Sequence, residues 1–513
     1  MKTRMGPVGA QHGRGGTVSK MKYRSTRDVS NNSELLSAAE AIKRGLAPDG
    51  GLYMPDHTPR ISSDDISRLT RLSYAERAAY ILSMFLTDYD KETLLDDCRE
   101  SYSEERFPGG AAPLRRIDGN LTSLELWHGP TCAFKDMALQ IMPRLLSRAL
   151  SMTGEHRTAR ILVATSGDTG KAALEGFRDV PGVDITVFYP ELGVSRMQKR
   201  QMTTQEGNNV NVCAVRGNFD DTQNGVKAIF SDRAYADRAA EKGIFFSSAN
   251  SINWGRLVPQ RVYYISAYSD LIMNGTIQNG DEINVCVPTG NFGNIFAAYM
   301  ARSMGLPIAH LVCASNSNCV LTDFIRTGVY DRTREFYKTM SPSMDILISS
   351  NLERLLYLIG GSALTRELMT ELATKGKYTM PQSLHAQIQS VFSGYYLTEA
   401  ETAATIRSTF ENDGYLSDTH TAVGIGCARK YLAESSDSRP TVVVSTASPY
   451  KFVQDVASSI GLELSDSDPA EMLKCLSERT GCEIPKPLLR TLTLPVRFDK
   501  TVDPADMPEV ALS

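Results

Sequence analysis

The stretch "RILVATSGDTGKAAL", residues 160–174, changes character twice within one short span. Ile161, Leu162, Val163 and Ala164 form an apolar run. It ends in Thr165, Ser166, Gly167, Asp168, Thr169 and Gly170, and then Lys171-Ala172-Ala173-Leu174 takes on helical composition. A short apolar run closed by glycine and hydroxyl residues reads as a buried strand, and the segment after those residues reads as a helix. A strand apolar on both faces that feeds a helix is the repeating unit of a parallel sheet covered on both sides. The same texture returns in "DITVFYP" (184–190), "NVCAVRG" (211–217), "INVCVPTG" (283–290), "AHLVCAS" (309–315) and "TVVVST" (441–446). The fold class is therefore α/β, and ligands are expected where strands end and helices begin.

The bulk properties bound the rest. A chain of 513 residues exceeds one small core, so two or three domains are expected. Net charge is −4 with 22% charged residues, which leaves no basic excess for nucleic acid and no acidic tail. No apolar run reaches the length of a bilayer span, so no membrane partner is expected either. Nine scattered cysteines without a C-x-x-C pair read as reduced thiols of a cytoplasmic protein, and the seven histidines show no metal-ligand spacing, so no metal is expected. Residues 1–20 read as a flexible Gly-rich tail, with Met21 a second candidate start. Residues 21–112 read as a mostly helical N-terminal domain, its first helix beginning after the Asn31-Asn32-Ser33 cap signal and ending at Gly45. The catalytic region spans 113–455, and 456–513 packs on it, ending in "FDKTVDPADMPEVALS" as a surface extension.

Three loops and one lysine carry the chemistry. In "TSGDTGKAAL" the backbone N–H groups point over a helix N-terminus and can meet an anion; the alternative is a capped turn. In "PTGNFGNIFAAYMA" (288–301), Gly290, Asn291, Phe292, Gly293 and Asn294 offer amide donors at the positive end of a helix dipole, the geometry a phosphate ester needs. No Gly-Lys-Ser/Thr follows, and the spacing is not that of a dinucleotide fingerprint. In "VVVSTASPYKF" (442–452), Thr446 ends a strand with a hydroxyl that can bond a heteroaromatic nitrogen while staying neutral. Lys135 in "LWHGPTCAFKDMALQ" (126–140) sits among apolar neighbours, where it either snorkels to water or serves as a deprotonated nucleophile. A phosphate cradle, a ring-nitrogen partner and a capturing amine together point to pyridoxal 5'-phosphate.

These pieces resemble the threonine synthases, fold-type II pyridoxal-phosphate enzymes, of the longer kind with an extra N-terminal domain. The resemblance rests on "GLAPDGGLYMP", "HGPTCAFKD", "ATSGDTGKAAL", "PTGNFGN", "NSNCVLTDF", "SPSMDILISSNLERLL" and "DTHTAVG", in that order from about residue 23 to 452. It implies two parallel-sheet α/β lobes, the smaller at about 145–260, beside the mostly helical N-terminal domain, and it is compatible with a monomer. It makes Lys135 the Schiff-base lysine, Gly290, Asn291, Phe292, Gly293 and Asn294 the cofactor-phosphate cradle, and Thr446 the partner of the pyridine nitrogen. Thr165, Ser166, Gly167, Asp168 and Thr169 match the loop that holds the substrate α-carboxylate. Many relatives have Asn at the position of Asp168, and a carboxylate beside a carboxylate requires a neutralising neighbour. Ser448-Pro449-Tyr450 replaces the His-Pro-Ala often found in that string, and Cys132 occupies a variable position.

The reaction so implied converts O-phospho-L-homoserine and water to L-threonine and phosphate, a lyase reaction of threonine biosynthesis. Lys171, Asn316 and Asn318 are candidates for the substrate side, each with a plain alternative as a solvated lysine or turn asparagine. Arg196, Lys199 and Arg200 read as an exposed helix face, and His420 as a structural residue near a helix start. The competing functions are another fold-type II lyase, such as a threonine dehydratase-like enzyme, and a catalytically silent threonine-synthase-like binding protein.

Overall fold

A computed structural model describes residues 20–30, 34–191, 194–464 and 468–513. The expected tail, apart from Lys20, and the Asn31-Asn32-Ser33 signal lie outside them. The first helix is Ala38–Arg44, capped by the Ser37 side chain and ended at Gly45 with φ 70°. It starts later than expected because Leu36 is extended, exchanging backbone hydrogen bonds with Tyr23. Strand β1 (Tyr23–Ser25) pairs antiparallel with β2 (Tyr53–Pro55). Three helices follow, Ser63–Leu69, Tyr74–Ser83 and Lys91–Ser101, each with a side-chain cap from Ser62, Ser73 or Asp90. Their apolar faces pack into the same core as the helix Gln260–Met273. Buried Arg77 locks this contact, donating to the Asp270 carboxylate at 2.6 Å and the Ser266 hydroxyl at 2.7 Å.

The large sheet has six strands in the order β13 (Phe392–Tyr396), β10 (Ile308–Ser315), β9 (Ile283–Pro288), β14 (Thr441–Ser445), β4 (Leu121–Glu125) and β3 (Leu114–Asp118). The first five are parallel, and β3 closes the edge as an antiparallel hairpin with β4. The smaller sheet is wholly parallel: β15 (Thr501–Val502), β7 (Val210–Val215), β6 (Val183–Pro190), β5 (Thr158–Ala164) and β8 (Ile244–Ser247). A short antiparallel ribbon, β11 (Val329–Asp331) with β12 (Lys377–Thr379), lies apart from both. All six strands read from sequence are present within a residue or two of the quoted runs. No helix among the described residues is long and apolar enough to cross a membrane.

The C-terminal tail departs from the expected surface extension. Thr501 and Val502 pair with Ala214 and Val215, adding an edge strand to the small sheet. The helix Met507–Leu512 then buries Met507, Val510, Ala511 and Leu512 in a cluster with Leu162, Phe188 and Val226 or beside Ala239. Only the pattern Met507-Val510-Ala511 hints at this, over too few residues for helical period to be read.

One glycine brings the two lobes' catalytic loops together. The short helix Asp136–Leu139 follows Lys135, and the helix Asp168–Phe177 follows β5. Where they touch, a Cβ on Gly176 would stand 1.9 Å from the Leu139 carbonyl oxygen. Gly176→Ala must push these backbones apart. We expect it to lower stability by about 1–3 kcal/mol, read as an earlier urea unfolding midpoint.

Candidate active site

Lys135 stands on a loop that is zipped to the segment after β14. Phe134 N–H donates to the Thr446 carbonyl at 2.8 Å, Ser448 N–H to the Cys132 carbonyl at 3.1 Å, and Ala133 faces Ala447 as an isolated antiparallel bridge. Cys132 takes a positive φ of 58° to make the turn. Inside the loop, the buried Asp136 carboxylate accepts from the Thr131 N–H and hydroxyl, both at 2.8 Å. Burial pushes the Asp136 carboxyl up to about 7, with the Thr131 hydrogen bonds pulling the other way. The lysine is thus fixed at both flanks, on a loop whose backbone is bonded to Thr446.

The Lys135 side chain is 9% exposed. Its Nζ donates to Asp168 Oδ2 at 3.4 Å and to Ser343 Oγ at 3.3 Å. Burial lowers its affinity for a proton; Asp168 opposes this, and Lys451 and Arg256 add to it. The awkward lysine is therefore held out of water, with its neutral, nucleophilic form favoured relative to a free lysine.

Asp168 opens the helix Asp168–Phe177 after Gly167, whose φ of 138° and absent Cβ let it pass the Gln198 side chain. Lys451, fully buried, donates to Asp168 Oδ1 at 2.6 Å and to the Thr131 carbonyl at 3.0 Å. Gln198 Nε2 donates to the same Oδ1 at 3.0 Å. Burial would raise the Asp168 carboxyl, but the Lys451 and Lys135 ammoniums more than offset it and hold the group far below the usual carboxylate range. Lys451 is the neutralising neighbour that Asp168 required. Thr165 Oγ1 accepts from the Gly167 and Gly170 N–H groups at 3.0 and 2.9 Å, shaping the loop. Ser166 lies between these positions, partly exposed at the strand end. Buried Arg256 reaches Thr169 Oγ1 at 3.5 Å and the Ala249 carbonyl at 3.0 Å, while its Nε has no partner. Burial brings its guanidinium down to about 10.

The cradle after β9 lies against the same centre. A Cβ on Gly290 would come 2.9 Å from the carbonyl of Ser343, the residue whose hydroxyl meets Lys135. Phe292 adopts the left-handed conformation at φ 62° and starts the helix Gly293–Met304, whose first-turn N–H groups have no intrahelical acceptor. Asn291 is exposed beside it, and its carbonyl accepts from Asn351. The Asn294 Oδ1 takes hydrogen bonds from Tyr263 at 2.5 Å and Tyr264 at 2.6 Å. Its Nδ2 is buried with no partner among the described residues, a donor awaiting an acceptor. Glycines that admit close approach, free helix amides and an orphaned amide donor fit the phosphate ester of pyridoxal phosphate.

The remaining candidates are engaged elsewhere. Lys171 donates to Glu175 at 3.2 Å and Gln205 at 2.5 Å, away from the lysine. The Asn316 and Asn318 amides donate to Asp345 at 2.8 and 2.9 Å, and Asn316 also to Ser341. Both asparagines thereby hold the segment that carries Ser343. Arg196 and Lys199 are exposed and Arg200 donates to backbone carbonyls at 491–494, but the opposite face of that helix delivers Gln198. Sequence reading missed Lys451, Gln198, Ser343 and Arg256 as site residues. Lys451 carried a signal, since "PYKFV" surrounds a lone ammonium with apolar residues just as "CAFKDMAL" does.

Comparison with known proteins places the chain in a family. Family models described as "Threonine synthase N terminus", "Pyridoxal-phosphate dependent enzyme" and "Threonine synthase, C-terminal" match residues 22–102, 114–447 and 421–486. Threonine synthase-like 1 of Homo sapiens is 39% identical over 449 residues, 85% of this chain and 59% of that protein. The chain thus spans about three fifths of the length of the threonine synthase-like 1 proteins it matches. Threonine synthase of Pseudomonas aeruginosa is 37% identical over 470 residues, 90% of this chain and 95% of that protein. The crystal structure of pyridoxal-phosphate-bound threonine synthase from Brucella melitensis superposes with a TM-score of 0.85 at 38% identity, covering 96% of this chain and 99% of that one. With a family model matching residues 114–447, and with the Pseudomonas and Brucella threonine synthases matched nearly end to end, the chain belongs to the threonine synthase family of pyridoxal-phosphate dependent enzymes.

Proposed function

We propose that this chain is a threonine synthase, converting O-phospho-L-homoserine and water to L-threonine and phosphate with pyridoxal 5'-phosphate carried on Lys135. The observation that supports it most is the buried Lys135 amine. It lies 3.4 Å from Asp168 at a helix N-terminus, on a loop bonded directly to Thr446. When bound, the cofactor supplies an aldehyde that captures amines and a ring that takes up the electrons released as protons leave Cα and Cβ.

The chain's own residues do the rest. Gly290–Asn294 hold the cofactor phosphate through the first-turn amides of Gly293–Met304 and the free Asn294 donor. Thr446 would meet the ring nitrogen with a hydroxyl, a neutral partner. The released Lys135 amine takes the Cα proton and returns one later, a task its lowered proton affinity suits. The loop Thr165–Thr169 binds the substrate α-carboxylate. Asp168 does not repel it, because Lys451 answers that charge, and Arg256 beside Thr169 adds a cation without a carboxylate of its own. Nine unpaired cysteines support a reducing, cytoplasmic setting.

Lys135→Ala is expected to lose at least about 10²-fold in phosphate release from phosphohomoserine. Borohydride reduction of the loaded protein should leave the pyridoxyl group on the Lys135 peptide. A label elsewhere refutes the assignment of Lys135. Ammonia with 2-oxobutanoate from threonine, or with pyruvate from serine, without phosphate release from phosphohomoserine, would favour a dehydratase-like enzyme. Loaded protein that turns over neither substrate would favour a silent binding protein.

The ion pair generates a further expectation. Lys451→Met leaves Asp168 with Lys135 alone and should cost about 3–5 kcal/mol, whereas Asp168→Asn with Lys451→Met should recover part of that loss in urea unfolding. The folded Asp168 carboxyl titrates below its unfolded value of 3.8, so its contribution is present above that value and is lost as pH falls through the folded one. The unmodified protein should therefore lose stability more steeply on acidification than the double variant.

A further inference from the structure

The segment between β11 and the helix Leu352–Lys375 reaches into the site at Ser343, and a pair of buried residues from another element holds it there. Asp418 caps the helix Thr419–Ser435, accepting from the backbone N–H groups of His420 at 2.9 Å and Thr421 at 3.1 Å. Its Oδ2 stands 2.8 Å from His420 Nδ1, and its Oδ1 accepts the Thr421 hydroxyl. His420 Nε2 accepts the Ser343 backbone N–H at 3.1 Å. A ring nitrogen that accepts an amide proton carries none, so the imidazole proton sits on Nδ1 and is donated to Asp418. Phe452 packs on the ring with centroids 4.8 Å apart. The Ser343 hydroxyl then stands 3.3 Å from Lys135 Nζ, while its carbonyl abuts Gly290 of the cradle.

Asp418 also reaches the other wall of the site. The Thr421 hydroxyl that it holds accepts the N–H of Thr446, the proposed ring-nitrogen partner, at 3.2 Å and meets Ser445 Oγ at 3.1 Å. One fully buried carboxylate thus sets the height of Thr446 on one side and, through His420, of Ser343 on the other.

We propose that His420, oriented by Asp418, is a positioning residue that sets the Ser343 hydroxyl as the neutral hydrogen-bond partner of Lys135. The inference rests on the assignment of Lys135 as the cofactor lysine. Asp168 favours the charged amine alone, whereas a hydroxyl can serve the amine in either protonation state, accepting from the charged one more strongly than it bonds the neutral one. Ser343 would therefore keep Nζ aimed whenever it is free, before it captures the cofactor and after the substrate amine displaces it. No bond forms or breaks at Ser343 or His420. The charged groups facing Lys135 are Asp168, Lys451 and Arg256; those facing His420 are Asp418, Asp345 from the Ser343 segment and Asp455 from the helix Val453–Ser459.

The test is the pH dependence of the rate at which the full chain, stripped of cofactor, captures pyridoxal phosphate, followed by absorbance. Ser343→Ala removes an acceptor of the charged amine and should shift the curve about 0.5–1 unit to lower pH. His420→Ala should shift it in the same direction, the two together no further than the larger single shift, and His420→Gln, whose carboxamide can accept the Ser343 N–H, should restore most of it. A residue that only supports the fold would lower thermal stability and leave the curve in place. Superimposed curves for Ser343→Ala and the unmodified protein overturn the proposal, as do additive shifts or a His420→Gln curve no nearer to the unmodified one than that of His420→Ala. Failure of the unmodified chain to capture cofactor sinks the Lys135 assignment itself and this inference with it; a chain that captures cofactor but ignores phosphohomoserine loses only the substrate reading.

Discussion

A single carboxylate shared between two buried ammoniums organises this site. Asp168 lies between Lys135 and Lys451, all three largely removed from water. Each charge alone would be costly to bury, and together they are tolerable only in this geometry. The arrangement is lopsided: Lys451 stands 2.6 Å from the carboxylate and Lys135 3.4 Å. Lys451 therefore supplies the permanent counter-charge, and Lys135 is left the less firmly paired of the two, free to give up its proton. The two lysines differ here by eight tenths of an ångström in their distance to the shared carboxylate and by which loop each rides on.

The rest of the architecture serves to bring those three residues together. Lys135 comes from the connection after β4, Asp168 from the loop after β5 in the other sheet, and Lys451 from the turn after β14. Parallel sheets deliver all their strand-to-helix loops to one side, so the chemistry needs only that the two sheets face each other at those ends. The approach of the helix carrying Gly176 to the Leu139 carbonyl helps to fix that facing, and the bridge of Ala133 to Ala447 ties the two large-sheet loops to each other.

Sequence reading went as far as local physics reaches. The strands were legible because a short apolar run closed by glycine or a hydroxyl has few other outcomes, and Lys135 because an ammonium among apolar residues demands an explanation. Partners chosen across the fold were not legible. Lys451 and Thr131, joined by a hydrogen bond, lie 320 residues apart, and Ser343 and His420 lie 77 apart. The antiparallel β3 was missed because "LRRID" is half charged and looks like surface. Lys171, Asn316 and Asn318 show the converse: polar side chains placed near the site by sequence, whose hydrogen bonds the fold commits to its own scaffold.

The final edge strand has a consequence for how the protein is made. Strands β5 to β8 emerge early in synthesis, yet β7 is covered only when Thr501 and Val502 arrive, and the cluster around Leu162 and Phe188 is closed only by Met507–Leu512. Until then the nascent small lobe displays an open sheet edge and an unfilled apolar face, the features that invite wrong association. Vectorial synthesis therefore leaves this lobe incomplete for some 250 residues of elongation, at a rate of about 5–20 residues per second. The lobe that carries Asp168 is thus expected to depend on chaperones during translation more than the N-terminal helices, whose caps and core residues lie close together in sequence.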